Sequence, residues 1–80
     1  MKTILCVLLQ KELKKRLKDD IFIHVHSNTL YVDIIDKAGN NCRYIKESIW
    51  QEITNTGTVK TLTNDILNHY VKYIVSLHFF

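Results

Sequence analysis

The stretch IFIHVHSNTLYVDIID, Ile21 to Asp36, is the most regular part of this 80-residue chain. Its apolar residues alternate with polar ones on both sides of Ser27-Asn28, which is the period-2 signature of two half-buried strands around a tight turn. A two-residue turn at Ser27-Asn28 sets Val25 opposite Leu30, Ile23 opposite Val32 and Ile21 opposite Ile34, so every pair on one face is apolar. A slip of one residue would place His24 against Leu30 and scatter that face, which makes the register strongly specified.

The pattern extends in the C-terminal direction. DKAGN, from Asp36, has an aspartate at the first turn position and Gly39 at the fourth, the chemistry of a type I turn closed by a glycine bulge. Asn41 to Lys46 then forms a third strand, with Cys42 facing Ile34 and Tyr44 facing Val32 inside, and Asp33 meeting Arg43 outside as an opposite-charge pair.

Upstream, Leu5, Cys6, Leu9, Leu13 and Leu17 recur every three or four residues, which predicts a helix over residues 2–19. Lys11, Lys14, Lys15 and Lys18 gather opposite its apolar stripe. Ile4, Val7 and Leu8 occupy that same outward face one turn earlier, so the first half is apolar all round. Downstream, SIWQEITNTG predicts a short helix with Ser48 as cap, Gln51 completing a capping box, Ile49 and Ile53 on one face, and Gly57 as its end. Leu62, Ile66, Leu67, Tyr70, Val71, Ile74 and Leu77 predict a last helix after a threonine cap at Thr61. Its end, from Ile74 to Phe80, is again apolar nearly all round, and it is expected either to cover the start of the first helix or to join it in a dimer interface.

These elements define a small α+β domain of order α-β-β-β-α-α spanning residues 1–80. A three-stranded antiparallel meander packs on the first and last helices through Ile21, Ile23, Val25, Leu30, Val32, Ile34, Cys42 and Tyr44. Apolar residues make up 46% of the chain, with two glycines and no proline, so composition favours one folded domain over a disordered tail. The run Ile4 to Leu9 is too short for a secretory core and leads directly into charge, and no segment is long enough to span a bilayer, so the expected location is the cytoplasm. Two cysteines do not make a disulfide scaffold, and both Cys6 and Cys42 fall at positions that read as core-facing. The use of nine lysines to two arginines, with ten isoleucines and six asparagines, is what A/T-rich codons produce, and points to a low-GC bacterium or a phage or mobile element within one.

Strand alternation gathers Phe22, His24, His26, Tyr31, Ile35, Arg43 and Ile45 on the outer sheet face. His24 and His26, two apart, can share a metal with Asp33, but a zinc site needs three or four ligands and that face offers no cysteine. No metal and no cofactor is therefore expected. No nucleophile stands at a recognisable spacing from a base, and the glycines leave no material for a phosphate-cradling loop. A nuclease built on His24 and Asp33 is the one catalytic arrangement left, and the expectation is that the chain is not an enzyme.

Two binding readings remain. The outer face is richer in aromatic and apolar groups than a solvated face, and is covered either by Trp50 of the short helix, by one of the other helices crossing to that side, or by a partner. Residues 1–20 hold six basic and three acidic side chains and residues 21–80 five of each, so the whole net charge of +3 lies on the first helix. The leading expectation is a non-enzymatic accessory protein that binds another protein, or itself as a homodimer, through the ends of its first and last helices. The alternative is a nucleic-acid-binding module using Lys11, Lys14, Lys15 and Lys18 with a stacking surface of Phe22, His24, Tyr31, Arg43 and Ile45.

The order helix, three antiparallel strands, helix is similar to the double-stranded-RNA-binding domain, which would imply duplex RNA as ligand. That family places a lysine cluster at the start of its last helix. Here the corresponding stretch, TLTNDILNHYVKY from Thr61, carries Asp65 and only a late Lys72, with a single Lys60 before it, so the resemblance is one of element order. With its short extra helix the order also resembles some small phage anti-CRISPR inhibitors, which implies a protein target, although those inhibitors are acidic where this chain is basic.

Overall fold

The computed structural model describes residues 2–47 and 57–79. Helix α1 (Lys2–Lys14) leads into strands β1 (Asp20–His26), β2 (Thr29–Ile35) and β3 (Asn41–Lys46), and the long helix α2 (Gly57–Phe79) follows. The strands form one antiparallel sheet in the order β1-β2-β3. This is the expected α+β class with one N-terminal and one long C-terminal helix among the described residues. The short helix predicted over 48–57 lies outside them apart from Gly57.

The hairpin register is the expected one, with Val25 opposite Leu30, Ile23 opposite Val32 and Ile21 opposite Ile34. Ser27 adopts φ 56°, the left-handed conformation that lets a two-residue turn match strand twist. At the second turn Gly39 N–H donates to the Asp36 carbonyl at 3.0 Å, and Asp36 N–H donates to the Asn40 carbonyl at 3.0 Å. Asp36 Oδ1 also accepts from the backbone N–H groups of Ala38 (2.9 Å) and Asn40 (2.8 Å), which ties the loop to its first residue. Gly39 has φ +89°, as the glycine bulge requires. Ile34 then faces Cys42, Val32 faces Tyr44 and Asp33 faces Arg43.

Two helix boundaries differ from expectation. α1 ends at Lys14 rather than Asp19. The N–H groups of Arg16 (3.0 Å) and Leu17 (2.9 Å) both turn to the Leu13 carbonyl, and the Lys14 ammonium folds forward onto the Asp19 carbonyl at 2.8 Å. The tightened turn reverses the chain so that β1 begins at Asp20, while Leu17 still packs against the core. α2 begins at Gly57, four residues earlier than expected, and Thr61 lies inside it rather than capping it. Val59 packs against the core one turn before Leu62, and the buried Thr63 donates its hydroxyl to the Val59 carbonyl at 2.7 Å, so a buried threonine is satisfied within the helix.

Both helices lie against the same sheet face, because a single core unites Leu5, Leu9 and Leu13 of α1, Leu62, Ile66 and Tyr70 of α2, and Ile21, Leu30, Val32, Ile34 and Cys42 of the sheet. Placement of the two on opposite faces is thus ruled out. Ile23, Val25 and Tyr44 pack against the core from its margin, and Cys6, expected in the core, is only half-buried. Tyr70 closes the assembly at one end by donating its hydroxyl to Asp19 Oδ2 at 2.5 Å. Burial, and then this bond, push the Tyr70 phenol well above its ordinary value.

Among the described residues, the C-terminal part of α2 leaves the outward side of the start of α1 uncovered, although Ile74 packs against the core to which Leu5 belongs. Ile4, Val7 and Leu8 remain 62%, 59% and 43% exposed. Leu9→Ala, at a fully buried position, is expected to lower the unfolding free energy by roughly 2–5 kcal/mol. Ile4→Ala is expected to change it by no more than about 0.5 kcal/mol. Urea titration of both variants beside the wild type measures the contrast.

Candidate functional site

Three features bear on function: the outer sheet face, the outward face of α1, and a groove between the helices.

On the outer face, cross-strand neighbours place His24 of β1 beside Tyr31 of β2, and the two rings stack with centroids 4.9 Å apart and planes 12° apart. From β3 the Arg43 guanidinium reaches over the Tyr31 ring at 5.6 Å from its centroid, a cation–π distance. The same guanidinium clamps Asp33 with two bonds, Nε to Oδ1 at 2.8 Å and Nη2 to Oδ2 at 3.1 Å. Asp33 is thereby buried although Phe22, His24, Arg43 and Ile45 on the same face are exposed. The Arg43 bonds hold its carboxyl below the ordinary aspartate value, with smaller help from Asn41 and His24, against the opposing effect of burial. Phe22 and Ile45, at 56% and 52% exposure, flank this row. His26 is exposed and Ile35 half-buried.

The row is therefore internally satisfied. Tyr31 is contacted from the β1 side by an imidazole and from the β3 side by a guanidinium, and that guanidinium is neutralised by Asp33. A free stacking platform needs an open ring and an unpaired cation. Here Phe22 and the face of His24 turned away from Tyr31 keep exposed aromatic surface among the expected stacking residues, while Tyr31 itself is half-buried.

The lysines do not form the even stripe that an uninterrupted helix would give. Lys14 is bonded to the Asp19 carbonyl, and Lys15 pairs with Glu12 at 3.1 Å. Lys11 and Lys18 are exposed, Lys18 beyond the helix end. The outward face of α1 carries Ile4, Val7 and Leu8 immediately before Lys11, directly opposite the buried Leu5, Leu9 and Leu13.

Glu12 near the end of α1 and Arg16 in the turn after it, with Val59, Lys60 and Thr63 of α2, line a groove of about 390 Å³. Sequence reasoning did not find it, since it exists only through the packing of the two helices, and neither segment has a motif that announces it. Among the described residues, no three His, Cys, Asp or Glu side chains converge where a metal ion would sit. His69 of α2 bonds through Nε2 to the Arg43 carbonyl at 3.1 Å and meets Tyr44 edge-on, well apart in role from His24 and His26. Burial raises the thiols of Cys6 and Cys42, the latter further through Asp33, so neither is poised as a thiolate. No helix among the described residues is long and apolar enough to cross a membrane.

Among the described residues, the fold is thus a small α+β domain with two helices on one face of a three-stranded sheet. Comparison with protein-family models, with curated proteins and with solved structures finds no match.

Removal of the clamp by Arg43→Met is expected to raise the Asp33 carboxyl midpoint toward or above the ordinary aspartate value, because burial then acts without its compensating donor. In the wild type the folded value is depressed, so this pair stabilises above the unfolded carboxyl value of about 3.9 and loses its effect as pH falls through the folded one. Titration of the Asp33 side-chain carbon resonance in both proteins measures the shift, and an unchanged midpoint would show that Arg43 is not the cause.

Proposed function

We propose that the protein is a non-enzymatic accessory module that works by binding another protein, with the outward face of α1 as its contact surface. The observation that carries this reading is the cluster Ile4, Val7 and Leu8, three large apolar side chains exposed within little more than one helical turn and opposite a fully buried stripe. Scattered single apolar residues are ordinary on a protein surface, whereas a contiguous cluster is the mark of a contact site. Lys11 at the end of the cluster favours a partner whose apolar patch is bordered by acidic groups. Composition supports a source in a low-GC bacterium or its mobile elements, and a cytoplasmic setting accords with the two unpaired thiols.

The test places a photo-crosslinking side chain at Val7, or for comparison at the exposed Asn64 on α2, in extract of the source cells. Expected is one discrete protein adduct from position 7, abolished by Ile4→Glu with Leu8→Glu and absent from position 64. Equal labelling from both positions would remove α1 as the contact surface.

A nucleic-acid reading draws on the concentration of all net charge in residues 1–20. The engagement of Lys14 and Lys15 within the chain weakens it. It requires oligonucleotide affinity that falls steeply with salt, by about one unit of logarithmic slope per contacting lysine. Such a slope, reduced in a Lys14→Ala, Lys15→Ala, Lys18→Ala variant, would displace the protein-binding reading.

A further inference from the structure

The two edges of the sheet are unlike. In the β1–β2 hairpin, His26 and Thr29 flank the two-residue turn as a hydrogen-bonded pair, so Asp20, Phe22, His24 and His26 direct their backbone groups toward β2. Ile21, Ile23 and Val25 direct theirs away from the sheet. On β3 the corresponding outward residues are Asn41, Arg43 and Ile45, and there α2 closes on the edge through the bond of His69 to the Arg43 carbonyl. Among the described residues nothing hydrogen-bonds the outward groups of Ile21, Ile23 or Val25. β1 also lacks the devices that keep an edge from pairing, having no lysine, no proline and an unbroken run of partners from Asp20 to His26.

Its sequence is complementary to itself. Turned antiparallel about a two-fold axis through Ile23, DIFIHVH sets Asp20 against the second copy's His26, Ile21 against its Val25, Phe22 against its His24, and Ile23 against itself. Each outer-face pair is then acid with imidazole or ring with ring, and each inner-face pair is aliphatic. A shift of two residues leaves two residues of each strand unpaired and sets either Phe22 or His24 against its own copy. Two features of the single chain fit this pairing. Phe22 is 56% exposed beside His24, Tyr31 and Arg43, which contact one another but not Phe22 in any ring or cation contact. Ile23 and Val25 stay half-buried although their neighbours Val32 and Leu30 are fully buried, as expected of a sheet that continues past β1.

We propose that two copies of this chain associate through β1, joining their sheets into one six-stranded antiparallel sheet with about six new backbone hydrogen bonds from Ile21, Ile23 and Val25. The interface uses a different surface from the outward face of α1 and stands or falls apart from it.

Sedimentation velocity over a concentration series, with amide exchange followed by NMR on the same samples, tests the proposal. A monomer–dimer equilibrium is expected, with the amides of Ile21, Ile23 and Val25 protected at high concentration and fast-exchanging on dilution. Phe22→Lys, at an exposed position, is expected to weaken dimerisation by about tenfold or more, since each dimer contains the changed pair twice. Adding His24→Glu should restore it by setting each introduced lysine against a glutamate of the other copy, while Ile4→Glu with Leu8→Glu should leave it unchanged. A strict monomer at the highest attainable concentration would overturn the proposal. So would a dimer in which those three amides exchange as freely as in the monomer, or one whose affinity is indifferent to Phe22→Lys.

Discussion

Leu30, Val32 and Ile34, successive inner-face residues of β2, are the constraint on which the rest of the structure depends. They are essentially fully buried, lying between β1 and β3 in the sheet and beneath the two helices. Because strand side chains alternate, the three hold one face together only in a single register. A shift by one residue would bring Tyr31, Asp33 and Ile35 beneath the helices in their place. The core stripe of α1, the core stripe of α2 and both edge strands each contact this one strip of apolar surface, so its register sets the positions of all the others. Among the described residues there is little further core with which to tolerate a second arrangement.

On the opposite face the same strand presents the reverse problem. Asp33 must lie on the outer side because Val32 and Ile34 lie inside, and its neighbours leave its carboxylate largely out of water. Loss of hydration is costly for a charge unless hydrogen bonds replace it. The bidentate Arg43 guanidinium supplies them, and by reaching across β2 it also comes over Tyr31, which in turn stacks on His24. A row of four side chains across three strands is fixed by one requirement, the satisfaction of one carboxylate. Its order makes the outer face a braced layer with few unmet polar groups, and shifts interest in binding to the surfaces around it.

The parts of this arrangement that were legible in the sequence are those set by local periodicity and turn chemistry. The two hairpin registers, the Asp36 to Gly39 turn and the pairing of Asp33 with Arg43 all follow from alternation about two short turns. Helix ends were less legible, because they are settled by tertiary contacts. Nothing in KKRLKDD signals that Leu13 will accept two backbone bonds and that Lys14 will reach Asp19. Gly57 suits a helix start as well as a helix end, and the buried Thr63 interrupts the apolar stripe that would have revealed the earlier beginning of α2. The membership of the outer face was readable from alternation. That its members satisfy one another was not, since stacking and the Arg43 clamp depend on how far each side chain reaches across the sheet. The apolar surplus of Ile4, Val7 and Leu8 was visible as a pattern, but whether α2 would cover it depended on where that long helix crosses the core.

The unequal edges follow from the same economy. With two helices on one face, only an element running close to an edge strand can shield it. α2 does so for β3, where His69 meets the Arg43 carbonyl and packs on Tyr44. α1 packs on the inner face of β1 and shields its side chains from below, yet a helix placed there offers no backbone partner to the edge itself, since its own groups are spent on its ladder. The consequence is a strand whose inner side chains Ile23 and Val25 are half-covered, and whose outward amides and carbonyls find no partner among the described residues and require water or another strand. Water satisfies those groups but leaves Ile23 and Val25 incompletely buried, whereas a second strand satisfies both needs at once. Edge polarity and core margin thus favour the same solution on β1, and the composition of the strand, aliphatic inside with an acid at one end and an imidazole at the other, lets a copy of the strand itself provide it.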